Sequence, residues 1–375
     1  MAGIYIHIPF CKSKCAYCAF YSTADARLKN DFLSALEKEL IIRKDYLGGD
    51  KVETIYFGGG TPSLLSSEEI DNILKIIRLY FYVDNDSEIT LEANPDTVDA
   101  FYLEKIRKAG VNRLSIGIQS FFDDDLNYLS RRHNSEHALR VIADAKDVGF
   151  ENLSLDLIYG IPTLSDDKWR RNLDAFFASG VPHLSAYSLT VEQGTILERR
   201  INERLCADID EEQSVRQYEI LCDRAAAEGF EHYEISNYAQ NGFRSRHNTA
   251  YWNGTKYLGL GPAAHSFDGN SRQWNVSNVK LYSTLVAAGG SFFETEVLSG
   301  DDKFNEYVMT SLRTSAGCDT DYIETHFGCK KKENLLRESQ RFIAENKMIY
   351  NDKHLILTRK GTLFADGIAA ELFAR

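Results

Sequence analysis

Two periods alternate along the first half of the chain. Short runs rich in β-branched and aromatic residues recur at 4–8, 53–57, 88–92, 113–119, 152–158 and 183–189. Between them, apolar residues fall at helical spacing near 28–45, 66–80, 98–108, 134–148 and 166–178. Ser66-Ser67-Glu68-Glu69 reads as a capping box that opens the second helix. Gly110, Gly149 and Gly180 stand just past three helical stretches, where a left-handed C-cap favours glycine. Six βα units predict an α/β fold with a parallel sheet and right-handed crossovers. Such a sheet can curl into an open barrel short of the closed eight-stranded form.

After about residue 190 the rhythm changes. A long helix is predicted across 210–228, then an irregular glycine- and aromatic-rich stretch with short strands at 230–290. From 301 the chain offers two or three helices, a hairpin at 348–357 turning near Asn351-Asp352, and a last helix over 359–373. The expected division is a barrel at 1–190, a barrel extension at 191–295, and a mostly helical, winged-helix-like domain at 296–375.

Composition narrows the function classes. The 375 residues are 43% apolar, enough for a full core, and contain no apolar run of membrane-spanning length. A net charge of −12 argues against broad nucleic-acid binding, and a hairpin domain without a basic face does not restore it. Lys330-Lys331-Lys332 reads as a solvated helix face. The first strand begins almost at the first residue, so no targeting peptide is expected, and seven scattered or closely spaced cysteines suit a reducing cytoplasm.

Cys11, Cys15 and Cys18 form the pattern C-x3-C-x2-C. A [4Fe–4S] cluster is normally held by four thiolates, so three in one loop leave one iron open to a small ligand. The alternative is a Cys3His zinc site completed by His7, although no second knuckle follows. The other four cysteines read as buried or idle thiols. Residues with chemistry also gather where strands end. Gly58-Gly59-Gly60-Thr61-Pro62 follows the second run, Glu92 ends the third, Gln119 ends the fourth, and Asp156 lies late in the fifth. Strand C-termini are where βα barrels keep their active sites. Taken singly, each is an ordinary turn or strand-end polar residue.

The cysteine spacing, the aromatic Tyr17 before the third cysteine and the lead-in Tyr5-Ile6-His7-Ile8-Pro9-Phe10 resemble the radical S-adenosylmethionine (SAM) superfamily. That resemblance implies a (β/α)6 partial barrel with a [4Fe–4S] cluster and SAM. Further motifs are Phe57-Gly58-Gly59-Gly60-Thr61-Pro62, Gly117-Ile118-Gln119-Ser120-Phe121 and Asp156-Leu157-Ile158-Tyr159-Gly160-Ile161-Pro162. They are similar to the branch that holds oxygen-independent coproporphyrinogen III dehydrogenases and HemW-type heme chaperones. In that branch the residues matching Tyr5, Gly59, Gly60, Thr61, Glu92, Gln119, Arg131 and Asp156 contact SAM, and those roles are carried over as expectations.

Three features separate the two members of the branch. The dehydrogenases resemble C-x3-C-x2-C-x-C, whereas Phe20 stands at the last position here. They also carry a substantial N-terminal extension, and this chain starts close to its first strand. Finally, His247-Asn248-Thr249-Ala250-Tyr251-Trp252 matches the H-N-x-x-Y-W motif of the chaperones, whose histidine is implicated in heme binding. The resemblance thus implies a heme chaperone with His247 as heme ligand. His265, in Gly259-Leu260-Gly261-Pro262-Ala263-Ala264-His265-Ser266, is a weaker second candidate whose plain alternative is to anchor a turn. A buried, hydrogen-bonded core histidine is the plain alternative for His247. Heme-acceptor proteins such as respiratory hemoproteins, and an electron donor for the cluster, would be the partners. Membrane association stays open. The competing function is coproporphyrinogen III oxidation through a 5′-deoxyadenosyl radical.

Overall fold

A computed structural model describes residues 1–374. The first half follows the predicted alternation. β1 (Ala2–Ile8), α1 (Lys29–Ile42), β2 (Val52–Gly59), α2 (Ser67–Tyr80), β3 (Val83–Ala93), α3 (Ala100–Ala109) and β4 (Arg113–Gln119) come first. α4 (Asp123–Tyr128), α5 (Ser135–Asp147), β5 (Asn152–Tyr159), α6 (Asp166–Ser179) and β6 (His183–Ser188) complete the set. Strands β1 to β6 pair in parallel and in chain order. Alternation along each strand decides which side meets what. On β1, Ile4, Ile6 and Ile8 are fully buried in the apolar core. Gly3, Tyr5 and His7 take the opposite face, where Tyr5 packs on Tyr56 of β2 and Gly3 meets Thr54 and His247. That face is the barrel interior.

The extension is more ordered than its sequence predicts. α7 (Ile196–Asn202) and α8 (Glu211–Ala227) lead into β7 (Glu231–Glu234) and β8 (Asn237–Ala239); β8 adds antiparallel to β6, and β7 antiparallel to β8. α9 (Arg246–Trp252) then crosses to the other edge. There β9 (Lys256–Leu260) pairs parallel to β1, followed by β10 (His265–Phe267), β11 (Ser271–Asn275), α10 (Val279–Ala288) and β12 (Phe293–Val297). One 12-stranded sheet therefore runs through both of the first two expected segments. Their apolar core is also shared, a single cluster reaching from Ala2 to Phe292.

The last segment gathers its own core around Phe304, Val308, Ile323, Leu335, Met348 and Leu355. It comprises α11 (Gly300–Leu312), β13 (Cys318–Asp319), α12 (Thr320–Phe327), α13 (Cys329–Ala344), β14 (Met348–Asn351) and β15 (His354–Leu357). The hairpin and β13 form a three-stranded antiparallel sheet against the helices, the winged-helix-like pattern. The predicted last helix is two pieces, α14 (Arg359–Thr362) and α15 (Ala365–Glu371). The break falls at Phe364, which leaves helical geometry (φ −120°, ψ 17°), while Gly361 within α14 presses against the Lys347 carbonyl where no side chain fits. Among the described residues no helix is long and apolar enough to cross a membrane.

Glu39 ties the barrel to its extension. It is fully buried on α1 and accepts hydrogen bonds from Gly261 N at 2.8 Å, Asn275 Nδ2 at 2.7 Å and the Tyr282 hydroxyl at 2.5 Å. Burial pushes this carboxyl up, and the three donors with nearby Arg43 oppose that. Glu39→Ala leaves three buried donors without an acceptor. The expected loss is on the order of 3 kcal/mol, read as a lower urea midpoint at unchanged m-value. An unchanged midpoint would remove Glu39 from any role in joining the two segments.

Candidate functional site

The cysteine loop lies at the C-terminal end of β1. Cys11 N donates to Thr23 O at 3.0 Å, and Thr23 N donates to Pro9 O at 2.7 Å, so the loop returns to its own start. Ala16 N bonds Leu129 O at 3.1 Å, which fixes the loop's far side to the end of α4. Cys11, Cys15 and Cys18 are each partly exposed, and all three line one cavity of about 560 Å³. That volume suits a small-molecule site, roughly 300–1,000 Å³. The Thr61 hydroxyl donates to Cys11 Sγ at 3.5 Å and the Arg131 guanidinium to Cys15 Sγ at 3.4 Å. Burial pushes the Cys18 thiol up, an effect that a bound iron reverses by taking the thiolate.

The Cys3His zinc alternative has no geometric support. His7 Nε2 faces Tyr21 O at 3.0 Å and Nδ1 faces the Tyr5 hydroxyl at 3.1 Å, so both ring nitrogens are engaged. Among the described residues, no three His, Cys, Asp or Glu side chains converge as a single-ion site. The three thiols border space rather than a point.

The structure brings most of the expected SAM residues to that cavity. Gly59, Gly60, Thr61, Glu92, Gln119, Arg131 and Asp156 all line it, each delivered by a strand end or the loop after it except Arg131, which follows α4. Gly59 has φ +106°, and a Cβ there would strike the His7 ring. A Cβ on Gly60 would lie 2.7 Å from Phe10 O. The glycine run therefore lets the β2 end nest against the cysteine loop. Gln119 is held at φ +71°, an uncommon conformation for a non-glycine residue, and such outliers gather at functional sites. Tyr5 does not line the cavity. It sits one layer lower, stacked with Tyr56.

Two carboxylates set the electrostatics. Each keeps part of its surface toward the cavity yet lies deep in the barrel. Glu92 accepts from the Tyr56 hydroxyl at 2.8 Å and Gly59 N at 3.2 Å, and Asp156 accepts from Ser115 Oγ at 3.1 Å. Burial, partly offset by those bonds, pushes Glu92 up to about 7 and Asp156 to about 6. Arg113, only 1% exposed, lies among them and favours both charged forms.

Asn94 was not anticipated from sequence. Its Nδ2 donates to Thr61 Oγ1 at 3.0 Å and its Oδ1 accepts from Arg131 at 2.7 Å. Arg131 also donates to Gly117 O at 2.7 Å. Asn94 thereby links three strand ends to the cysteine loop. Its position two residues past Glu92, at the same strand end, was the available signal. Tyr187, Leu189 and Phe20 were also unassigned as lining residues. Phe20 is 69% exposed at this cavity.

His247 is elsewhere. It stands in the first turn of α9, which lies against the lower half of the barrel. The backbone N atoms of Arg246 and His247 each donate to the Glu88 carboxylate at 3.1 Å. The ring is 2% exposed. Its Nδ1 faces Thr54 Oγ1 at 2.8 Å and its Nε2 the Tyr251 hydroxyl at 3.1 Å. Burial lowers its pKa to about 3, so it is neutral. The structure does not bring it to the cavity with the other expected residues. His265, by contrast, is exposed on β10 opposite Trp274, with ring centroids 6.3 Å apart.

A three-cysteine loop above a half-open parallel barrel, with strand-end carboxylates and a glycine cradle, is the site of a radical SAM protein. The Radical SAM superfamily model matches residues 5–176. The chain is 36% identical to "Heme chaperone HemW" of Mycobacterium tuberculosis, covering 99% of this chain and 94% of that one. It is 33% identical to the Bacillus subtilis protein of the same name over 98% of each. Its fold superposes on coproporphyrinogen III oxidase (HemN) from Escherichia coli with a TM-score of 0.86 at 23% identity, covering 100% of this chain and 90% of that one. The chain belongs to the HemW family of the radical SAM superfamily, and that membership implies a [4Fe–4S] cluster and SAM.

Two outcomes test this geometry. Cys15→Ser replaces a soft thiolate by a hydroxyl and is expected to abolish the cluster, read as iron and sulfide content after anaerobic reconstitution. Wild-type content would unseat the cluster assignment. In cluster-free protein, Glu92 is expected to be ionised above about pH 7 and protonated below it, with Asp156 following near pH 6. The two interact, so they titrate as a pair. Infrared carboxyl bands should appear as pH falls from 8 to 5, and Glu92→Gln should remove the higher step. A single step below pH 5 in both proteins would contradict the placement.

Proposed function

We propose that this protein is a heme chaperone that holds a [4Fe–4S] cluster and SAM in the barrel and passes heme to acceptor proteins. What carries the reading is the extent of the likeness. It runs over nearly the whole length of proteins named heme chaperones, the C-terminal segment included. Phe20, where the dehydrogenases resemble a further cysteine, supports it as well, since it places an exposed ring at the cavity instead of a thiol.

Cys11, Cys15 and Cys18 would hold the cluster, and the residues around the cavity fit SAM. The glycine run offers backbone groups to the methionine end, and Arg131 offers a cation to its carboxylate. Glu92 and Asp156 offer acceptors to the ammonium and the ribose hydroxyls. Tyr5 acts from below by packing. When bound, the cluster supplies a transferable electron to SAM. The chain itself orients SAM and keeps water from its wall.

Heme needs an axial ligand, and a neutral imidazole suits it. His247 carries the motif, but it would first have to surrender Thr54 or Tyr251 and leave a buried stack. His265 is exposed, and no hydrogen bond engages its ring among the described residues. Partial burial of the ring, then Arg272, lowers its pKa, and Trp274 beside it offers an apolar face. His265 is therefore the ligand we assign. Respiratory hemoproteins would be natural acceptors, and a reducing cytoplasm the natural compartment for the cluster.

Anaerobically reconstituted protein with SAM and dithionite tests the reading in two parallel assays. One titrates heme and follows the Soret band. The other supplies coproporphyrinogen III and looks for protoporphyrinogen. Stoichiometric heme binding without turnover is expected, with the ferric spectrum changed in His265→Ala. Turnover without stable heme binding would make the protein an oxidase and overturn the proposal.

A further inference from the structure

The motif histidine has a different partner set from the one its sequence suggests. His247 lies flat beneath Tyr56, with ring centroids 5.0 Å apart and planes at 23°. It also stacks with Tyr5 at 6.4 Å and 27°. Tyr251, one helical turn along, meets the His247 ring edge-on at 5.0 Å. Gly3 lies against the imidazole, its Cβ position 3.4 Å from two ring atoms and 2.9 Å from Thr54 Oγ1. Thr54 and Tyr251 fix the ring from its two nitrogens. The ring can neither slide nor rotate without losing one of those bonds or the stack.

What rests on it is Tyr56. This side chain is 9% exposed, and its hydroxyl donates to Glu92 Oε1 at 2.8 Å. Glu92 Oε2 takes the Gly59 N–H. The carboxylate thus has one oxygen oriented by the barrel floor and the other by the glycine cradle. A tyrosine free to tilt would let Glu92 rotate away from the cavity or bond elsewhere.

We infer that His247 is a positioning residue for the SAM site: its imidazole fixes Tyr56, and Tyr56 aims the Glu92 carboxylate into the cavity. The inference rests on the reading of Glu92 as a SAM contact, proposed above. It gives the H-N-x-x-Y-W segment a role at the far end of the barrel. The histidine supplies the shelf, Tyr251 locks it, and the N-terminus of α9 is held by Glu88.

The experiment measures SAM affinity by equilibrium dialysis on anaerobically reconstituted protein, with iron and sulfide content checked in each variant. The variants are His247→Ala, Tyr56→Phe, the double mutant, His247→Phe and Glu92→Gln. His247→Ala and Tyr56→Phe should each weaken SAM by about tenfold, the scale of one hydrogen bond to a charged group. The double mutant should be no weaker than the worse single, because both break one chain of contacts. His247→Phe keeps a flat ring under Tyr56 and should recover SAM to within about twofold of wild type, which a general loss of stability would not predict. His247→Ala should still bind heme at wild-type affinity.

Additive losses in the double mutant would overturn the relay. So would a Phe variant as weak as the Ala variant, or unchanged SAM affinity in His247→Ala. Loss of heme with intact SAM binding in His247→Ala would make the histidine a heme ligand instead. Glu92→Gln separates the two levels. If it leaves SAM affinity unchanged, the reading of Glu92 itself fails. If it weakens SAM while His247→Ala does not, only the relay fails.

Discussion

Two carboxylates deep inside a half-open barrel are the constraint around which this structure is arranged. Removing an ionised carboxylate from water costs several kcal/mol unless donors and cations replace the lost solvent. Glu92 and Asp156 lie two strands apart on the same inner face. Their compensation comes from all around them: Tyr56 from β2, the Gly59 backbone, Ser115 and Arg113 from β4. The compensation is incomplete, since both carboxyls remain raised. A ligand bringing its own ammonium and hydroxyls, as proposed for SAM, would offset the remainder of that desolvation cost.

That arrangement needs a closed floor. An open parallel barrel with water entering from below would solvate the inner carboxylates and loosen their aim. α9 provides the closure, and it does so with a histidine kept neutral by burial, which adds no further charge to an interior already holding Glu88, Glu92, Asp156 and Arg113. Glu39 performs a related task on the outside of the barrel, where one buried carboxylate gathers donors from the β9–β10 turn, β11 and α10. Polar groups placed at the joints specify how the extension docks, and the apolar surface around them supplies most of the stabilisation.

The six βα units were legible because their strands meet helices on one face and must be apolar there. Helix ends were legible where a side chain or a glycine enforces them. Ser66 does form a capping box with Glu69, and Gly110 and Gly180 are left-handed C-caps. The cysteine loop and Gly59, Gly60, Thr61, Glu92, Gln119 and Asp156 could be read because each sits at or just past a strand end. The short strands of the extension were not legible in detail. β8 and β10 have three residues each, too few for a period, and their pairing is set by neighbours far along the chain. The setting of His247 was hidden for the same reason, because Thr54, which fixes its Nδ1, is 193 residues away in sequence. A motif names the residue types that occur together, while the direction in which a ring nitrogen points is a tertiary fact.

The likeness to related proteins extends well past the matched superfamily region, and the geometry gives a reason. The inner shell is not built from the six-stranded unit alone. Gly3, Thr54 and Tyr56 form its lower wall, and all three also meet His247 of the extension. Gly261 of the β9–β10 turn fits against His7, whose ring in turn limits the Gly59 position. A substitution in the extension therefore changes the shape of a wall that faces the cofactor cavity. The barrel and the extension thus share one wall, and Glu192 of the extension lines the cavity itself.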